Sequence, residues 1–118
     1  MLGAFLADSI GSFLEFEQGN IEHSKVEEAM SMPGEGAWYT QPGQVTDDSE
    51  LAMCQMHGLL AGRGKFDLFH NCLYYGWYWH LQPICSGSTT ASGLSPLAAC
   101  RDNPNPEVSK AAAREDNA

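Results

Sequence analysis

The sequence predicts an all-α fold. Apolar residues recur at three- and four-residue spacing in separate stretches, and the opening stretch lacks the alternation a half-buried strand needs. A hydroxyl- and acid-rich start and a glycine-rich end bracket the central apolar stretch, as they do a helix. About five helices account for the pattern, with loose boundaries.

Leu2, Phe5, Leu6, Ile10 and Phe13 fall at helical spacing, so residues 2–15 read as a buried helix. Gly3, Ala7 and Gly11 stand four apart and form a small-residue stripe over which a second helix could pack. Residues 17–45 carry Gly19, Pro33, Gly34, Gly36, Pro42 and Gly43 and read as a long loop, with one short helix near Ser24–Met32. A loop of that length in a compact domain is functional or disordered.

Thr46-Asp47-Asp48-Ser49-Glu50 then opens a helix that Gly62 and Gly64 end. Thr46 or Asp47 caps it, Glu50 sits three residues after Asp47 as in a capping box, and the acids suit the helix dipole. Residues 66–81 form an aromatic-rich helix that Pro83 stops. A further helix is expected from Thr89 or Thr90 to Ala99, a break over Asn103–Pro106, and a last helix over Glu107–Arg114. There is no internal repeat.

At 118 residues the chain is one domain or part of one, and its 43% hydrophobic content is enough for a core. Six basic against 15 acidic residues give a net charge of −9, which argues against a surface that coats nucleic acid. An anionic substrate would need cations to offset that field; the plainer reading of the charge is solubility. Cys54, Cys72, Cys85 and Cys100 form no CxxC pair, so zinc and thioredoxin-like motifs are unsupported. They read as reduced packing thiols of an intracellular, cytoplasmic protein. The opening apolar run lacks a basic leader and Asp8 interrupts it, so it does not read as a signal peptide. No stretch has the length to span a bilayer, and no membrane partner is expected.

Two groups of residues suggest chemistry. Asp8 and Glu15 would share one face of the first helix, with Ser12 between them, and an acid in so apolar a setting needs a donor, a cation or a metal. The plainer reading has Asp8 capping a neighbouring helix and Glu15 facing water. Thr46, Asp47 and Asp48 gather one hydroxyl and two carboxylates at a helix mouth, hard oxygen donors suited to Mg²⁺, Mn²⁺ or Ca²⁺; the alternative is an ordinary acidic cap. Gly87-Ser88-Thr89-Thr90 opens another helix, where backbone amides can meet a phosphate or the hydroxyls simply cap. His57, His70 and His80 show no ligand spacing, and Tyr74, Tyr75, Trp77, Tyr78 and Trp79 read mainly as packing, although one could stack on an adenine.

These motifs join in one order. GAFLADSIGSFLEF resembles the opening helix of the ADP-ribosylglycohydrolases, VTDDSELAM resembles their TDDT-x-x-A helix, and Trp79, Pro83, Gly87, Thr89, Thr90 and Leu94 resemble their third block. The resemblance covers about residues 2–100. It implies an orthogonal all-α helical bundle, with residues 1–118 as its amino-terminal part, incomplete at the carboxy-terminal side. It implies a two-metal Mg²⁺ or Mn²⁺ centre to which Thr46, Asp47 and Asp48 give ligands, and catalytic roles for Glu15 and Asp47. It implies substrate contacts at Asp8, Gly87, Ser88 and Thr89, and hydrolysis at the anomeric carbon of ADP-ribose on an ADP-ribosylated protein.

The family's other ligands come from a downstream D-x-D-[ST] motif that this sequence lacks, and Asn117 stands where a glycine-rich block would begin. The chain as it stands is therefore expected to be truncated and inactive, with part of the aromatic stretch 66–81 left uncovered. The alternative is a degenerate, non-catalytic ADP-ribose-binding or structural helical protein. Of three departures, the first two are mild and the third bears on specificity. Ala7 replaces a glycine before Asp8, Ser49 replaces the last threonine of TDDT, and Cys85 stands where members acting on ADP-ribosyl-arginine carry an aspartate. A thiol substitutes poorly for a carboxylate, which leaves the linkage open.

Overall fold

The computed structural model describes residues 1–103 and 105–115; Asn117 lies outside the described residues. These fold into seven α-helices: α1 (Leu2–Gly11), α2 (His23–Ala29), α3 (Asp47–Ala61), α4 (Leu68–His80), α5 (Ser88–Leu94), α6 (Ala98–Asp102) and α7 (Pro106–Glu115). Two 3-10 turns, Gly36–Trp38 and Ser95–Leu97, complete them. The only pairing of extended backbone among the described residues is an isolated antiparallel bridge, Glu35 with Thr40. The fold is all-α, as expected. No described helix is long and apolar enough to cross a membrane.

The chain forms two compact units, Met1–Ser49 and a second from Glu50 onward, with the boundary in the first turn of α3. In the first unit, α1 is shorter than its apolar periodicity suggests. It stops at Gly11 and the chain turns through residues 12–16, reaching a left-handed conformation at Phe16 (φ 63°). The Ser12 hydroxyl donates to the Ser9 carbonyl at 3.0 Å. Hydroxyl groups that bond back to a preceding carbonyl compete with helix continuation.

The expectation that this helix is buried does not hold in the first unit. Ser9 is the only buried residue of α1, and Leu2 and Leu6 are 74% and 42% exposed. Among the described residues of the first unit no helix covers the small-residue stripe: a Cβ at Gly3 or Gly11 would meet nothing within 4 Å.

The long glycine- and proline-rich segment is ordered by pairing within itself. Glu35 and Thr40 exchange backbone hydrogen bonds of 2.7 and 3.1 Å around the Gly36–Trp38 turn. Gly34 and Gly36 both have positive φ. A Cβ at Gly34 would lie 2.5 Å from the Thr40 carbonyl oxygen, and one at Gly36 would lie 2.7 Å from that of Ser12. Only glycine allows both the conformation and the approach.

The second unit is built around α4. Asp67 caps it by accepting from the His70 amide at 2.9 Å, and that amide bond is the main reason the Asp67 carboxyl lies below the ordinary value. Cys72, Leu97 and Cys100 form the buried cluster, with Leu68, Tyr75, Leu94 and Val108 packed on it. Gly76 admits the Leu97 carbonyl so closely that a Cβ there would lie 2.4 Å from it.

Cys72, Cys85 and Cys100 are buried, in keeping with a packing role. Burial pushes the Cys54 and Cys72 thiols up to about 11. His57 stacks on Tyr74 at 5.3 Å between ring centroids. Phe66, Trp77 and Leu81 of the aromatic stretch are exposed.

The helix expected from Thr89 to Ala99 is instead three elements. Pro96 lies at the start of the Ser95–Leu97 turn and separates α5 from α6. Proline has no amide hydrogen to continue an α-helical ladder, so the chain tightens there.

Candidate functional site

The site in the first unit is organised by one carboxylate. Asp8, on α1, accepts at Oδ1 from the Thr46 hydroxyl at 2.5 Å. At Oδ2 it accepts from the Thr46 amide at 2.9 Å, the Ser49 amide at 3.2 Å and the Ser49 hydroxyl. Thr46 immediately precedes α3, and Thr46 and Ser49 are buried.

The local sequence suggests a capping box between Asp47 and Glu50. Asp47 is the first residue of α3, and the amides of Thr46 just before it and of Ser49 both donate to Asp8. The helix start is therefore fixed from a distant part of the chain. Burial pushes the Asp8 carboxyl up, but the bonds from Ser49 and Thr46 outweigh it and hold the group below its ordinary value.

A concavity of about 650 Å³ opens beside this junction, lined among others by Ala7, Asp8, Gly11, Glu15, Thr46, Asp47 and Asp48. The acids and the threonine singled out in the first unit thus share one surface. Glu15 reaches it from the turn after α1, not from the helix face that the seven-residue spacing suggests. Its Oε2 accepts from the Trp38 indole N–H at 2.6 Å. Trp38 in turn meets the Phe16 ring edge-on, with centroids 5.9 Å apart.

Sequence reasoning missed two residues here. Trp38 sits in a loop whose closure depends on the Glu35–Thr40 bridge, and a lone tryptophan between glycines was its only signal. Ser49 was legible only as a departure at the end of TDDT, yet its amide and hydroxyl both hold Asp8.

The donor set suits Mg²⁺ or Mn²⁺, which prefer hard oxygens. The Thr46 hydroxyl gives its proton to Asp8, which leaves its oxygen lone pairs free to accept a cation. Among the described residues no group of three or more Asp, Glu, His or Cys side chains is placed so that it could hold a metal ion.

Gly87, Ser88 and Thr89 belong to the second unit. Gly87 precedes α5 in an extended conformation and Ser88 is its first residue, so the serine does not occupy the cap position. Cys85, two residues before, is buried.

The sequence model of the ADP-ribosylglycohydrolase family matches residues 1–117. A protein of Acanthamoeba polyphaga mimivirus named as an ADP-ribosyl glycohydrolase is 30% identical over 99 residues, covering 80% of this chain and 30% of that protein. The ADP-ribosyl-dinitrogen reductase glycohydrolase of Rhodospirillum rubrum is 29% identical over 97 residues, 79% of this chain and 33% of its own length. An ADP-ribosylarginine hydrolase of Serratia proteamaculans is 33% identical over 88 residues, 74% of this chain and 22% of its own. The chain thus spans a third or less of each of these relatives.

Proposed function

The chain belongs to the ADP-ribosylglycohydrolase family, and from that premise we propose that it supplies the amino-terminal part of a catalytic domain that hydrolyses ADP-ribosyl linkages on proteins. The observation that carries this reading is the single concavity lined by Asp8, Glu15, Thr46, Asp47 and Asp48.

In this reading Thr46, Asp47 and Asp48 would hold Mg²⁺ or Mn²⁺, with the Thr46 hydroxyl donating its proton to Asp8 so that its oxygen could serve as an acceptor. When bound, a divalent ion would supply positive charge to offset the repulsion between an acidic site and a pyrophosphate substrate, and Lewis-acid chemistry at oxygen. Asp8 acts mainly through Thr46, because four donors from Thr46 and Ser49 already engage its two oxygens. Glu15 is the catalytic carboxylate. Trp38 holds one of its oxygens, and the other is left to take a proton from water. Asp47, a second carboxylate lining the same concavity, would share the catalytic role by orienting that water. Gly87, Ser88 and Thr89 contribute substrate contacts through the backbone at the start of α5.

The relatives named for ADP-ribosyl-dinitrogen reductase and ADP-ribosylarginine support an ADP-ribosylated protein as substrate. Buried Cys85, in place of an aspartate, leaves serine as well as arginine linkages as candidates. The test is release of ADP-ribose from ADP-ribosyl-serine and ADP-ribosyl-arginine peptides by a protein carrying this chain. Release that depends on Mg²⁺ or Mn²⁺ and is lost in Glu15→Gln and Asp47→Ala is expected. Binding of ADP-ribose without release by the native protein would favour a non-catalytic binder.

A further inference from the structure

The first unit carries a second groove, of about 510 Å³, between the turn that follows α1 and one face of α2. Phe13 and Glu17 line it from the turn. Glu22, Lys25 and Glu28 line it from the α2 side, three residues apart and so on one helix face. The same turn is a wall of the site concavity, which Leu14 and Glu15 line. Phe13 and Glu17 therefore face the groove, while Leu14 and Glu15 between them face the site.

The groove already seats a cation of the chain's own. The Lys25 ammonium pairs with the Glu17 carboxylate and lies over the Phe13 ring, 5.6 Å from its centroid. A ring face beside a carboxylate holds a cationic side chain, and a guanidinium fits such a seat as well as an ammonium does. Lys25 offsets one carboxylate, and Glu22 and Glu28, both exposed, leave the groove net negative. A phosphate is repelled there, whereas a basic peptide is attracted.

We propose that this groove holds the polypeptide flanking the modified residue of a protein substrate, and that it selects flanks carrying arginine. The assignment to a substrate rests on the hydrolase reading of the adjoining concavity; the seat for the cation is a property of the groove itself.

Titration of the isotopically labelled chain with a short, unmodified peptide carrying two arginines, followed by NMR shifts of its amides, tests the groove without any hydrolysis. A Kd of about 1 mM at low salt is expected, with the same peptide carrying glutamines at least about fivefold weaker. The Glu22→Gln, Glu28→Gln double variant should weaken the arginine peptide by about fivefold. Asp102→Asn with Glu107→Gln, in the second unit, changes the net charge equally and should leave binding unchanged. That pair separates a groove from general attraction to a chain of net charge −9. Lys25→Gln should tighten binding by about threefold, because it frees Phe13 and Glu17 for the peptide.

Equal weakening by the two double variants would overturn the proposal, as would equal binding of the arginine and glutamine peptides. Amide shifts along α2 that depend on chain concentration without peptide would seat a second copy there instead, and overturn it too. In a catalytically competent protein carrying this chain, glutamine in place of the flanking arginines of an ADP-ribosylated peptide should raise KM by about tenfold with kcat nearly unchanged. Release indifferent to the flank would refute the groove and leave the hydrolase reading standing. Arginine-peptide binding with the expected pattern of variants, but no release, would support the groove as a basic-peptide site and remove the hydrolase reading.

Discussion

Asp8 and Thr46, 38 positions apart in sequence, are joined twice: the Thr46 amide and hydroxyl each donate to a different oxygen of the Asp8 carboxylate. The same carboxylate takes the amide and hydroxyl of Ser49. One side chain of α1 therefore sets where α3 starts and how the Thr46 hydroxyl is turned, so fold and site share a single point of failure.

Removing that carboxylate should cost stability as well as function. Asp8→Ala is expected to destabilise the chain by about 2 kcal/mol, the sum expected for a lost helix cap and charge-assisted hydrogen bonds. Urea unfolding measures this, and a change below about 0.5 kcal/mol, the level of an ordinary surface substitution, would show that α3 does not depend on Asp8.

The junction should also weaken in acid. Burial raises the Asp8 carboxyl, the Ser49 and Thr46 bonds lower it further, and the folded value ends below the unfolded one. A depressed carboxyl stabilises the fold fully above its unfolded value of about 4, and the contribution disappears as pH falls through the folded value. The difference in urea midpoint between the native chain and Asp8→Asn, measured in a metal-free buffer, should therefore be large at neutral pH and shrink below about pH 4. A difference that grows in acid would contradict the assignment.

Trp38 should act as a positioning residue for Glu15. Trp38→Phe keeps a ring against Phe16 but removes the N–H that holds Glu15. In a catalytically competent protein carrying this chain, Glu15→Gln should lower kcat by about 100-fold or more and Trp38→Phe by about tenfold, with KM nearly unchanged in both. A rise in KM with kcat intact would place the pair in ground-state binding.

The close approach of the Ser95–Leu97 turn to α4 at Gly76 gives a prediction of pure packing. Gly76→Ala would put a methyl 2.4 Å from the Leu97 carbonyl oxygen, and the Ser95–Leu97 turn would have to move away from α4. A loss of about 2 kcal/mol or more is expected from overpacking, measured by thermal or urea unfolding.

Much of the helical skeleton was legible because short-range rules decide it. The capping signal before Asp47 and the halt before Pro83 place α3 and the end of α4 within a few residues. What was not legible depended on distant partners. Apolar spacing alone extends α1 to Glu15, but the turn from Ser12 to Phe16 is set partly by its own hydroxyl bond and partly by Gly36 pressing on Ser12. The break at Pro96, by contrast, follows from the proline itself, which has no amide hydrogen to continue the helix. At the site, residue types marked Thr46, Asp47 and Asp48, whereas the roles of Ser49 and Trp38 exist only once Asp8 and Glu15 are brought to them.

In the proposed site Thr46, Asp47 and Asp48 would present a divalent-cation half-site held in place by Asp8. Calorimetric titration of this chain with Mn²⁺ tests it most directly. Two carboxylates and a hydroxyl bind such an ion weakly, so a Kd of about 1 mM is expected, with the heat abolished in the Asp47→Ala, Asp48→Ala double variant and reduced in Asp8→Ala. Equal heats from the native chain and the double variant would place the ion elsewhere and contradict the account.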